Sequence, residues 1–209
     1  MLNILHQDDE LLVVHKPSGL LSVPGKGPEK QDCVWMRLKA HYPSALVVHR
    51  LDQATSGLMV FALNPSMQRK LSMAFEARQV QKLYVAWVEG SLPVSNDWHI
   101  IDLPILLDWP RRPLHIIDEA GKPSVTMWRC VQHHPSGPGS LLELQPQTGR
   151  THQLRVHLQA LGHPIWGDAM YAPPDVLARA PRLMLHAQSL ALHHPGTGQD
   201  LRWTSLPDW

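Results

Sequence analysis

A chain of 209 residues, 44% of them hydrophobic, is long enough to bury a real core in one medium domain or at most two small ones, and nothing in its composition suggests disorder. Its 19 Lys and Arg against 18 Asp and Glu leave a formal net charge of +1, which excludes a general basic excess and confines any nucleic-acid surface to a local patch. Cys33 and Cys130 lie far apart with no C-x-x-C pair, so they support neither a disulfide framework nor a cysteine zinc site and fit a reducing cytoplasm.

The opening MLNILHQDDE sets three acids directly after a very short apolar run, unlike a secretory leader, and no apolar run reaches membrane-spanning length; an unexported, soluble protein is expected. Short β-branched runs then recur: LLVV near residue 11, LVV before His49, LMVFAL after Gly57, LYVAWV near 83 and HIIDL near 99. SVTMWRCV near 124, LLELQ near 141 and LMLHAQSLAL near 183 continue the series, and all have the length and turn-rich boundaries of strands. CVWMRLKAHY and SMQRKLSMAFEARQ predict helices, the second introduced by Asn64 as N-cap and Pro65 in the first turn. THQLRVHLQALG predicts a third, with Leu154, Leu158 and Leu161 as one apolar stripe and Gly162 as C-cap. Strands outnumber helices without alternating regularly, which predicts an α+β domain with a largely antiparallel or mixed sheet. Proline and glycine mark the connections, and none makes a linker, so one compact catalytic domain over 1–209 is expected.

Within this frame, HRLDQATSG at 49–57 places the carboxylate of Asp52 beside Arg50 at a turn between apolar runs, where loops carry chemistry on a rigid scaffold. PQTGRTHQLR offers Arg150, with Gly149 expected to loosen the chain just before a helix start so that the arginine projects into a cleft. QKLYVAWV places Tyr84 on a strand, a position at which a tyrosine is ordinarily core. Basic residues cluster at Arg69, Lys70, Arg78 and Lys82, and again at Arg111 and Arg112. The 14 histidines do not imply a metal: His133 and His134, like His193 and His194, are neighbours that a strand sends to opposite faces, and His152 and His157 share a helix face poorly. No GxGxxG, HExxH or GxSxG occurs, Thr55 and Ser56 suit a turn, and GLLSVPGKG lacks phosphate-loop spacing.

Taken together, KPSGLLSVPGK near residue 16, HRLDQATSG, the K-x-Y of Lys82 and Tyr84, DLPILLDWPRRP, GKPSVT, TGRTHQLRVHLQALGHPIWGD and LMLHA resemble the RluA-type pseudouridine synthases over nearly the whole chain. The resemblance implies a mixed, largely antiparallel central sheet with flanking helices and an RNA cleft. It also implies isomerisation of uridine to its C-glycoside with no cofactor and no metal. Asp52 is then the catalytic carboxylate, either attacking ribose C1′ or removing the C2′ proton, and Arg150 pairs with it to keep it ionised against burial. Tyr84 stacks on the uracil and assists at C5, while Arg50 fills the gap left by the flipped base. Lys82, Arg111 and Arg112 contact RNA, and Leu154 and Leu185 wall the base pocket. His49 and His186 are expected to be structural, the latter near the active site.

Lacking an S4-like module, the chain is expected to act on small stem-loops, a tRNA anticodon loop and a 23S rRNA loop, as a cytoplasmic monomer away from membranes. The rivals are a synthase acting on rRNA only, an RNA-binding or RNA-folding protein on the same scaffold, and a cleft enzyme for free nucleosides. Two positions depart from the family pattern: His15 before the Lys-Pro pair, and Trp166 where a smaller aliphatic is usual.

Overall fold

The computed structural model describes residues 2–209. In chain order the elements are β1 (Asn3–Gln7), β2 (Leu11–Lys16), α1 (Val34–Lys39), β3 (Leu46–Val47), β4 (Ser56–Ala62), α2 (Pro65–Glu76) and β5 (Gln81–Glu89). They continue with β6 (His99–Asp102), β7 (Ile105–Leu107), β8 (His115–Ile117), β9 (Val125–His133), β10 (Gly139–Pro146), α3 (Gln153–Ala160), α4 (Pro174–Leu177), β11 (Leu185–His193) and β12 (Asp200–Thr204). The content is α+β, as the run of short strands predicts, and it divides into two compact units: the chain up to Lys82 with Ala187–Trp209, and Leu83–His186.

In the first unit the strands run β1-β2-β4-β11, with β12 on β11 and β3 on β4. β4 is buried at all seven positions, the continuous burial of a strand covered on both faces. It pairs antiparallel with β2 from Leu11↔Ala62 to Lys16↔Gly57. α2 starts as predicted, for the Asn64 side chain accepts the Met67 N–H at 2.8 Å and Pro65 follows it. Its Met67 and Leu71 pack with Leu11, Val13, Leu58, Val60, Leu190 and Leu192 into the unit's core. Gly57, the second residue of β4, has φ +117°, and a Cβ there would overlap the backbone of Ala187, so only glycine lets the two segments meet.

The second unit is an antiparallel sheet in the order β5-β10-β9-β6, with a separate two-stranded hairpin, β7–β8. α3 is buried at every residue from Gln153 to Leu158. The predicted leucine stripe is therefore corrected: Leu154 and Leu158 are covered, but Leu161 is 37% exposed beyond the last turn. Gly162 ends the helix as predicted. At φ +82° it returns its N–H to Gln159 O while His163 N reaches Leu158 O, both at 2.9 Å, the paired closure of a Schellman motif.

Trp166 proves to be a packing residue. It stacks on Trp87 with centroids 5.7 Å apart, donates Nε1–H to Glu89 at 2.9 Å, and lies so close to Gly139 that a Cβ there would overlap its ring. Cys33 and Cys130 are buried and free.

Candidate active site

Asp52 stands half-buried on the loop between β3 and β4, at the start of a turn closed by Thr55 N–H to Asp52 O at 3.1 Å. The segment 16–22 grips this loop on either side of the carboxylate. Ahead of it, Ser22 Oγ donates to Leu51 O at 2.6 Å and accepts the Leu51 N–H at 3.1 Å. Behind it, Gln53 O receives both Lys16 Nζ and Gly19 N at 2.9 Å, and Ser18 Oγ donates to Ala54 O at 2.7 Å. The Lys16 side chain is 0% exposed, and its ammonium also donates to Pro17 O at 2.9 Å and Leu20 O at 2.7 Å. A buried ammonium tolerates desolvation only with its donors occupied, so three carbonyls become its shell and one of them belongs to the residue after Asp52. Neither Lys16 nor Ser22 is singled out by sequence reasoning. The available signal is a lysine ending the buried run LLVVHK directly before proline.

His49 precedes this loop on its other side. Its Nε2 accepts the Val60 N–H at 3.0 Å and its ring stacks on Phe75 at 4.6 Å, so the imidazole is neutral and structural, as expected. Burial, seconded by the charge of Lys82, pushes its pKa down to about 3. Lys82 itself is half-buried, and burial followed by the charge of Arg78 lowers its pKa. The structure thus brings Lys82 within electrostatic reach of His49, while Arg50 extends on the exposed surface.

In the second unit, Tyr84 is half-buried on β5 opposite Leu144 of β10. Arg150 is exposed, with Nε donating to Pro123 O at 3.3 Å. Its turn is built around Gln153, whose side chain is satisfied at both ends. Oε1 accepts from Thr148 Oγ1 at 2.7 Å and Arg150 N at 3.0 Å, while Nε2 donates to Val125 O and Thr126 Oγ1, each at 3.0 Å. The role expected of Gly149 falls elsewhere. A Cβ at Gly149 would meet open space and its φ is ordinary, whereas the left-handed residue of the turn is His152, at φ +56°. Tyr171 OH lies 2.7 Å from His152 Nδ1 and accepts the His115 N–H at 3.0 Å, while the buried Arg155–Asp168 pair, closed at 2.8 and 2.6 Å, lies against the Tyr171 ring.

Leu154, Leu185 and His186 are all buried. Arg111 and Arg112 sit on the loop of the β7–β8 hairpin, Arg111 bound to Asp108 at 2.6 Å and Arg112 lying 4.1 Å over the ring of Trp109. Among the described residues no group of three or more His, Cys, Asp or Glu is placed to hold a metal ion, and no helix is long and apolar enough to cross a membrane.

Asp52 thus lies on a loop of the first unit, and Arg150 and Tyr84 lie on a turn and a strand of the second. Comparison with known proteins identifies the group to which they belong. The family model described as RNA pseudouridylate synthase matches residues 10–160. The "Dual-specificity RNA pseudouridine synthase RluA" of Escherichia coli (strain K12) is 46% identical over 207 residues, covering 99% of this chain and 93% of that protein. Its namesake in Vibrio vulnificus (strain CMCP6) is 48% identical over 196 residues, 92% of this chain and 78% of that one. Among solved structures, Human RNA Pseudouridylate Synthase Domain Containing 1 superposes with TM-score 0.82 at 29% identity, over 99% of this chain and 84% of that one. Human RNA Pseudouridylate Synthase Domain Containing 4 does so with TM-score 0.76 at 28% identity, over 99% and 89%. On sequence and fold together, the chain belongs to the RNA pseudouridylate synthases and is an enzyme of RNA modification.

Proposed function

We propose that residues 1–209 work as one cofactor-free catalytic domain, monomeric and cytoplasmic, that converts a uridine of the tRNA anticodon loop and a uridine of a 23S rRNA loop to pseudouridine. The observation that carries the assignment of the catalytic group is the grip of Lys16, Ser18, Gly19 and Ser22 on the backbone at both sides of Asp52, which holds the main chain that bears that carboxylate. Dual specificity is the property named for relatives 46% and 48% identical to this chain.

The reaction breaks the bond between uracil N1 and ribose C1′, turns the base and joins C1′ to C5; N1 ends protonated and the hydrogen of C5 leaves as a proton. Asp52 serves at the sugar, as nucleophile at C1′ or as base toward the C2′ proton. Arg150 supplies the charge that keeps the carboxylate ionised in an enclosed site. Tyr84 stacks on the uracil and assists removal of the C5 proton. Arg50, exposed beside Asp52, takes the place of the extruded base in the RNA stack. Lys82 supports the RNA backbone together with Arg111 and Arg112, and Leu154 and Leu185 supply the apolar wall of the base pocket, with His186 behind them as a structural residue.

Tritium release from transcripts labelled at uracil C5, offered as an anticodon stem-loop and as a 23S rRNA fragment, tests this reading. Release by the wild type and a loss of about 10²-fold or more in Asp52→Asn are expected, the effect of removing a positioned proton-transfer group or larger if Asp52 is the nucleophile. Equal release by Asp52→Asn would remove Asp52 from the chemistry. Tight RNA binding with no release from either transcript would favour an RNA-folding role.

A further inference from the structure

The tip of the β7–β8 hairpin, residues 108–114, carries beside the two arginines assigned above to the RNA backbone an aromatic residue that the proposed chemistry leaves unused. Trp109 there is 64% exposed, whereas Trp166 is 6% exposed. A large aromatic left in water at a loop tip forgoes the burial that usually justifies it. It is also organised. Arg112 Nε donates to Trp109 O at 3.0 Å, which lays the guanidinium along the indole, 4.1 Å from the ring centroid. The loop beneath closes through Arg111 N to Asp108 O at 3.1 Å, Leu114 N to Arg111 O at 3.0 Å and Asp108 N to Leu114 O at 2.9 Å, with Arg111 held to the Asp108 carboxylate.

The root is anchored in the second unit's core: Leu114 and Ile117 pack with Ile105, Val156 and Tyr171, and the Tyr171 hydroxyl takes the His115 N–H. An exposed aromatic plane, a guanidinium parked against it and a second guanidinium beside them, on a hairpin whose backbone is already fixed, suit a flat ligand joined to anionic groups. With Asp108 paired to Arg111, the guanidinium of Arg112 is left as the uncompensated charge of residues 108–114, a local positive charge that suits an anionic ligand.

We propose that the hairpin tip is a second RNA-contacting site in which Trp109 stacks an unpaired nucleobase other than the reacting uridine, with Arg112 backing the ring and Arg111 meeting the adjoining phosphate. The proposal rests on the assignment of structured RNA as substrate. Stacking on an aromatic tolerates any base, so the site adds affinity and orientation for a loop with splayed bases rather than reading a sequence.

The test is binding of an anticodon stem-loop to the full chain, with Asp52→Asn in every arm to hold the RNA unreacted. Trp109→Ala and Trp109→Phe are compared with that parent by affinity and by RNA-induced quenching of tryptophan emission. Replacement by alanine is expected to weaken binding about tenfold or more, phenylalanine by clearly less, and either change removes the share of quenching due to Trp109. Arg111→Gln is expected to weaken binding and flatten its salt dependence. Parent-like affinity for both Trp109 variants with the quench intact overturns the hairpin site alone. A parent that binds no stem-loop, beside a wild type that isomerises none, overturns the RNA reading and the hairpin site with it.

Discussion

The Asp52 loop and the Arg150 turn present opposite charges, and they are braced by opposite means. Around Asp52 the backbone is held by a buried ammonium and two hydroxyls that reach in from a distant segment of the chain. Around Arg150 it is held by one neutral amide from three residues further on, Gln153, and by a left-handed His152. A buried charge is strong when fully partnered and costly when any partner is lost, whereas a neutral network spreads its loss over several modest bonds. The first loop should therefore fail abruptly under substitution and the second by degrees.

The harshest way to break the contrast is Gly57→Ala. The new methyl would collide with main chain rather than with a side chain that could swing away, and its φ of +117° lies where an L-residue is strained. A loss of roughly 4 kcal/mol or more is expected from combined overpacking and strain, read as a collapse of the denaturation midpoint or of soluble yield. A folded Gly57→Ala protein with an unchanged midpoint would show that β4 and residue 187 are not packed as described.

Next comes Lys16→Met, which keeps the bulk of the stem and removes the charge. The carbonyls of Pro17, Leu20 and Gln53 each lose the ammonium as donor, and a loss of about 3 kcal/mol is expected. Isomerisation should fall further than stability alone explains, because the chain beside Asp52 is released. Stability lost with kcat intact would reduce Lys16 to a purely structural residue.

The pH dependence gives a graded effect, about 1.4 kcal/mol for each pH unit rather than a single step. The folded value of His49, about 3, lies below the ordinary 6.5. Between these limits the unfolded chain takes up a proton that the folded chain refuses, so stability rises with pH through this window and is lost as pH falls from 6.5. A fully depressed imidazole contributes a slope of about 1.4 kcal/mol per pH unit. His157, also lowered chiefly by burial, contributes in the same direction. His49→Gln retains an acceptor for the Val60 N–H and should make the acid side of the stability curve shallower; a slope identical to wild type between pH 6 and 4 would mean that His49 is protonated in the folded protein.

Much of this was legible from residues alone, for reasons that differ by element. β4 announced itself through LMVFAL because full burial demands an unbroken apolar run, and α2 through Asn64-Pro65 because a cap is a local device. β1, β12 and the β7–β8 hairpin were not legible: NILHQ alternates only partly, DLRWT mixes exposed and half-buried residues, and the hairpin strands are three residues long. Their pairing is decided by partners remote in sequence rather than by their own pattern. In the same way, Asp52 and Arg150 stand out in short motifs, but Lys16 and Ser22 act through backbone carbonyls more than 25 residues away, and no local spacing encodes that reach.

Gly149→Ala is the smallest expected change and the one that separates a glycine needed by the fold from one that is not. Both motif loops carry a glycine, Gly57 after Asp52 and Gly149 directly before Arg150, and only for Gly149 does the sequence suggest a conformational role. The geometry divides them. At Gly57 the backbone is in the left-handed half of the map against another strand, while at Gly149 the φ is ordinary and nothing lies within 4 Å of the added methyl. Alanine there restricts the unfolded chain more than the folded one, so stability should be unchanged or higher by up to about 1 kcal/mol. Arg150 should keep its place, since Gln153 holds its N–H and Pro123 its guanidinium. The isomerisation rate should accordingly stay within about twofold of wild type, in the range of substitutions that touch nothing. A large loss of rate at undiminished stability would show that the turn must move during turnover and that Gly149 supplies the motion; the neutral bracing of Arg150 would then describe a resting state, in contrast to the fixed loop of Asp52.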